Sequence, residues 1–143
     1  MCAQRVMPIF QKEFSNDKWP EKAIKMAEDY LQGDVEYRAA HRCLRGVTGK
    51  QNAHHEQQPG NSFAIAALGA SQKALEVALF DEPYDARSID PEIEDRDVDV
   101  DEWDAYYHAA ESYACAEECT DEEEMRRRIE FWSWNLDNAV PAA

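Results

Sequence analysis

The chain has 143 residues, 30 Asp plus Glu against 15 Lys plus Arg, a formal net charge of −15 and 44% apolar residues. Length and apolar content describe one folded domain with a real core, neither several domains nor a disordered chain. The charge excludes direct binding to DNA, RNA or an anionic membrane, which would repel so acidic a surface, and favours a basic protein partner.

In chain order the pattern is helical almost throughout, and the expected fold is all-α: a single-domain bundle of about five to six helices over residues 1–143. The start, Met1 to Pro8, has no apolar leader run, so a cytoplasmic protein is expected, with Cys2, Cys43, Cys115 and Cys119 kept as thiols. No run of about 18 apolar residues occurs, so no membrane span is expected. Pro8 to Phe14 predicts a short opening helix. Pro20 suits the first turn of a second, Glu21 to Leu31, which Gly33 closes. A third helix is expected from Asp34 as N-cap to Arg45, ending before Gly46. Residues 46–61, with their glycines and polar run, read as a loop.

Asn61 or Ser62 can cap a fourth helix reaching Phe80, whose Ile65, Leu68, Leu75 and Leu79 sit among small residues. Such a helix belongs at the centre of a bundle. Residues 81–101 contain Pro83 and Pro91 and form an acidic insert without helical periodicity. A fifth helix is expected from Asp101 to Cys119, and Thr120-Asp121-Glu122-Glu123 is a capping box opening a sixth. Met125, Ile129, Trp132, Leu136 and Val140 then form one apolar stripe, expected to be buried, with Glu122–Arg126, Glu123–Arg127 and Glu124–Arg128 as i,i+4 ion pairs.

The charge is concentrated. Residues 1–60 carry 9 basic and 8 acidic side chains, whereas residues 81–124 hold 19 acids against Arg87 and Arg96. Asp95-Arg96-Asp97-Val98-Asp99-Val100-Asp101 begins like a calcium loop. It then fails, with Val100 where a glycine is needed and Tyr106 where a bidentate Glu should stand. Read as extended chain, Asp95, Asp97, Asp99 and Asp101 lie on one face about 6.6 Å apart. Such a row roughly imitates a nucleic-acid backbone, with its charge every ~3.4 Å per strand. Trp103 and Tyr107 supply the large anchors enriched in interface hot spots, unless they simply pack the fifth helix into the bundle. The candidate partner-binding set is therefore Asp90, Glu92, Glu94, Asp95, Asp97, Asp99, Asp101, Glu102, Trp103, Asp104 and Tyr107.

Catalytic and metal chemistry find little support. No G-x-S-x-G, phosphate loop or H-E-x-x-H occurs, and neither a cofactor nor a metal is expected. His54-His55 with Glu56 could supply a general base, although paired histidines in a polar stretch suit a plain surface. Cys115 and Cys119 stand one helical turn apart and could share zinc, yet with Ala109, Ser112 and Ala116 they equally form a small packing face.

Phe10-x-x-x-Phe14-x-x-x-x-Trp19-Pro20-x-x-Ala23-Ile24, followed by Gly33, resembles the opening of a bacterial immunity-protein family, the fifth immunity class of polymorphic toxin systems. That family usually has an Asp and an Arg-Pro-Arg-x-Ala-Ile run here; this chain has Asp17-Lys18-Trp19-Pro20-Glu21-Lys22-Ala23-Ile24. Arg128-x-x-Phe131-Trp132-x-Trp134-x-Leu136-x-x-Ala139-Val140-Pro141-x-Ala143 is similar to its closing helix. The resemblance implies an all-helical, non-catalytic antidote that binds and blocks a cognate toxin, often a nuclease. It transfers no contact residues, and the matching positions look like fold determinants, Pro20 and Trp132 included. The acidic insert is not a family feature. It leaves open a second reading, a phage-type anti-defence or anti-CRISPR protein that mimics nucleic acid.

Overall fold

The computed structural model describes residues 2–80, 104–116 and 119–138. They form six α-helices, α1 (Cys2–Glu13), α2 (Trp19–Leu31), α3 (Tyr37–Gln57), α4 (Ser62–Phe80), α5 (Ala105–Ala114) and α6 (Asp121–Asn138), with a 3-10 turn at Pro59–Asn61 and no strand among the described residues. The expected insert at 81–101 lies outside them.

α4 is the axis of the bundle, packing against α1, α2, α3 and α5. Every residue from Ala64 to Ser71 is buried, and so are Leu75 and Leu79. By length and composition the stretch Pro59–Phe80 could cross a membrane. Here that apolarity is taken up by four neighbouring helices, which is why α4 has no polar face through its first half.

The surrounding helices show how local chemistry sets boundaries. α1 begins at Cys2, well before the predicted start at Pro8, because Pro8 stands on the exposed side and leaves the Ala3–Val6–Phe10 face free to pack. α2 opens with Pro20 in its first turn and with Asp17 Oδ1 accepting the Trp19 N–H at 3.0 Å. Its end is a Schellman motif: Gly33 at φ 82° donates to the Tyr30 carbonyl and Asp34 N–H to that of Asp29.

α3 corrects the largest expectation. Its N-cap is Glu36, and the helix continues through Gly46 and Gly49 to Gln57, so most of the predicted loop is helical. Gly46 is a close-packing glycine, not a stop. The Trp19 indole lies directly against it, and a Cβ there would overlap the ring. Gly69 does the same service in α4: a Cβ would sit 2.8 Å from His108 Nδ1 and 2.9 Å from Gln51 Nε2.

α5 starts at Asp104, whose Oδ1 accepts the N–H groups of Tyr106 (2.8 Å) and Tyr107 (3.0 Å). It ends at Ala114, short of the predicted Cys119. Thr120 Oγ1 accepts the Glu123 N–H at 3.3 Å, the expected cap of α6. The buried face of α6 is Arg128, Phe131 and Asn135, whereas Ile129 is 60% and Leu136 68% exposed. Of the predicted stripe, Ile129 and Leu136 therefore face outward, Met125 is half-buried, Trp132 is half-buried and packed against the core, and Val140 lies outside the described residues. The phase is set by polar anchoring: buried Arg128 pairs with Glu111 of α5 and with Glu124 at 3.1 Å, and Cys2 Sγ donates to Asn135 Oδ1 at 2.9 Å. The predicted i,i+4 pair Glu124–Arg128 is formed.

Candidate functional site

Of the candidate partner-binding residues, Asp90, Glu92, Glu94, Asp95, Asp97, Asp99, Asp101, Glu102 and Trp103 lie outside the described residues. Asp104 and Tyr107 lie within. Asp104 is half-exposed and spends one carboxylate oxygen on capping α5, so its charge is fixed at the helix N-terminus where the dipole favours it. Tyr107 is half-buried, and its ring meets the Trp132 ring edge-on at 5.6 Å. Trp132 in turn contacts Phe131 at 5.7 Å. Tyr107 thus joins α5 to α6.

The histidines resolve into different roles. His54, expected in a loop, is buried in the last turns of α3. Its Nε2 lies 3.0 Å from Asp17 Oδ2, its ring lies 4.1 Å from Phe14 and 5.8 Å from Phe10, and Lys50 Nζ is 3.5 Å from the same Asp17 oxygen. Burial by itself would raise the Asp17 pKa, but the Trp19 N–H, His54 and Lys50 outweigh it and hold the carboxyl below its ordinary value. This is a polar knot tying the α1–α2 turn to α3, with a cleft of about 320 Å³ beside it lined by Asn16, Asp17, Lys18, Trp19 and Lys50. His55 and Glu56 are exposed and join no such arrangement.

His108 is buried in α5 over Gly69, and burial, followed by the nearby Lys73 and His55, lowers its pKa to about 4. It is neutral at physiological pH. Cys115 is the C-cap of α5, its thiol 3.4 Å from Glu111 Oε1, and burial together with that carboxylate pushes its pKa to about 12. Such a thiol stays protonated near neutral pH. Because the helix ends at Ala114, Cys115 and Cys119 are not stacked on one turn; Cys119 Sγ instead approaches the Ala114 carbonyl at 3.8 Å. Among the described residues no group of three His, Cys, Asp or Glu side chains could hold a metal ion. All four cysteines are free thiols.

Sequence reasoning missed the outer face of α6 as a surface, although its four-three-four spacing was plain. It missed as well a ring ledge where α3 meets the end of α4. There Tyr37 stacks on His41 at 5.6 Å and His41 meets Phe80 edge-on at 6.5 Å. Tyr37 and His41, four residues apart on α3, were the available signal.

The residues of the family resemblance occupy structural places. Phe10, Pro20, Ala23 and Phe131 are completely or almost completely buried, and Phe14 lies in the same core. No curated protein and no solved structure matches the chain. A family model described as Immunity protein Imm5 matches residues 1–142, nearly the entire length. The chain belongs to the Imm5 family of immunity proteins.

Proposed function

We propose that this immunity protein is a cytoplasmic antidote that occludes the basic cleft of a nuclease toxin, acting by binding and without chemistry of its own. The observation that carries the reading is family membership over residues 1–142, combined with a net charge of −15 whose excess falls in residues 81–124. Asp95, Asp97, Asp99, Asp101 and Asp104 supply the negative charge, and Trp103 with Tyr107 supplies apolar anchorage. A cleft built to hold phosphates is basic, and an acidic strip that enters it competes with substrate and raises the association rate at low salt.

The test is inhibition of the toxin's nuclease activity by wild type and by a variant carrying Asp97→Lys, Asp99→Lys and Asp101→Lys. The variant is expected to keep its helical circular dichroism and lose inhibition. Full inhibition by the triple variant would show that the strip is only a solubilising surface.

A further inference from the structure

The outward row of α3 runs through Arg38, Arg42 and Arg45, all exposed, at intervals of four and three residues and about 10.5 Å from end to end. None of the three guanidinium groups makes an ion pair or a hydrogen bond among the described residues. The carboxylates of the two helices packed on α3 are engaged elsewhere. On α2, Glu21 holds Lys18, Glu28 accepts from Gln4 and Asp29 holds Lys25; on α4, Glu76 holds Lys73. Asp34 and Glu36, just ahead of the helix, form no ion pair with Arg38. Local chemistry opposes this placement. Like charges three and four residues apart on a helix repel, and Arg38 stands in the first turn, where the dipole favours an acid and α3 has none. A row that works against its own helix points to a use outside it. Beside it lie the rings of Tyr37 and Phe80, 46% and 43% exposed and bridged by His41. Arginine next to exposed aromatic rings is the composition of an interface hot spot.

We propose that this face of α3 is a toxin-binding surface, whose arginines take carboxylates on the toxin while Tyr37 and Phe80 make apolar contact beside them. It rests on the reading of the chain as an antidote, and needs neither the acidic strip nor a nuclease as the target. Three guanidinium groups in one row fit an acidic patch, since each can take a carboxylate through two parallel hydrogen bonds. Nucleic acid is the poorer fit. A net charge of −15 repels a polyanion along its length, whereas a protein patch need be acidic only over about 10 Å, close to the screening distance at physiological salt. The exposed acids in the first turn of α6 do not cancel the row, because α6 packs chiefly against α5 and α3 against α2 and α4. Lys22, seated over the Trp19 ring that presses on Gly46, adds a fourth cation where α2 meets α3.

Affinity of the full chain for the purified cognate toxin tests this, measured for wild type and for a variant carrying Arg38→Gln, Arg42→Gln and Arg45→Gln, with urea unfolding of both. The variant is expected to bind roughly hundredfold more weakly and to unfold at an unchanged urea concentration. Arg38→Lys, Arg42→Lys and Arg45→Lys together should fall between the two, keeping the charge and losing the paired hydrogen bonds. Equal affinity in wild type and the glutamine variant overturns the proposal and leaves the antidote reading standing. Absence of binding by wild type overturns both. Loss of binding together with a lowered urea midpoint would make the row a support of the fold, and overturns the proposal too. A labelled single-stranded oligonucleotide serves as the second probe. Its capture through these arginines, with toxin affinity unchanged on their loss, would assign the face to nucleic acid and overturn the proposal.

Discussion

Two glycines on one helix, three residues apart, show how differently the same residue can act. Gly46 is pressed against the Trp19 ring, which itself lies under the Lys22 ammonium at 4.3 Å. Gly49 has nothing within 4 Å of the position a Cβ would take. Alanine gains about 1 kcal/mol over glycine in a helix interior, whereas overpacking a filled site costs about 1–3 kcal/mol. Gly49→Ala is thus expected to stabilise by about 1 kcal/mol and Gly46→Ala to destabilise, both by thermal or urea unfolding. Equal effects at the two positions would contradict the Trp19 contact. His108 gives a prediction in pH. Its folded pKa of about 4 lies below the ordinary 6.5, so the unfolded chain binds the proton first as pH falls. Its contribution is complete above pH 6.5 and is lost down to about pH 4, to a total of about 3 kcal/mol. His108→Gln should flatten that part of the stability curve. An unchanged slope would place the titrating group elsewhere.

At the scale of helices, what was legible depended on whether the signal was local. The closure of α2 at Gly33 and the start of α4 at Ser62 follow from chemistry within a few residues, and both stand as expected. The run of α3 through residues 46–57 does not, since only Trp19, some 27 positions earlier, makes Gly46 a helical residue. In α6 the spacing was right and the face was not. That helix carries an apolar stripe beside a mixed inner face, and the inward choice between them rests on Arg128 reaching Glu111 and on Phe131 fitting the core, both tertiary facts. Phe131→Ala is accordingly expected to cost about 3–5 kcal/mol, as deletion of a fully buried ring. Leu136→Ser should change monomer stability by less than about 0.5 kcal/mol. Comparable losses at both positions would return the outer stripe to the core.

Over the whole molecule the charge is divided as the composition suggested. α3 exposes Arg38, Arg42 and Arg45, while the first turn of α6 exposes Asp121, Glu122 and Glu123. The candidate site was legible as a concentration of acids, and that is a statement about electrostatics and not about placement. Asp104 illustrates the difference: its identity announced charge, and its geometry assigns it to the N-terminus of α5, where one oxygen serves two backbone N–H groups. Tyr107, chosen as an anchor, sits against Trp132, so any partner that reaches it meets a joint between α5 and α6 instead of a lone ring. A molecule so polarised should approach a basic target in a preferred orientation, with an association rate that falls as salt rises.

The most direct measurement is therefore the association rate with the purified cognate toxin as a function of ionic strength, for wild type and for the variant with Asp97, Asp99 and Asp101 changed to Lys. A steep fall with salt in wild type, together with loss of binding in the variant, is the predicted result. An association rate indifferent to salt and equal in the two proteins would contradict occlusion by the acidic strip.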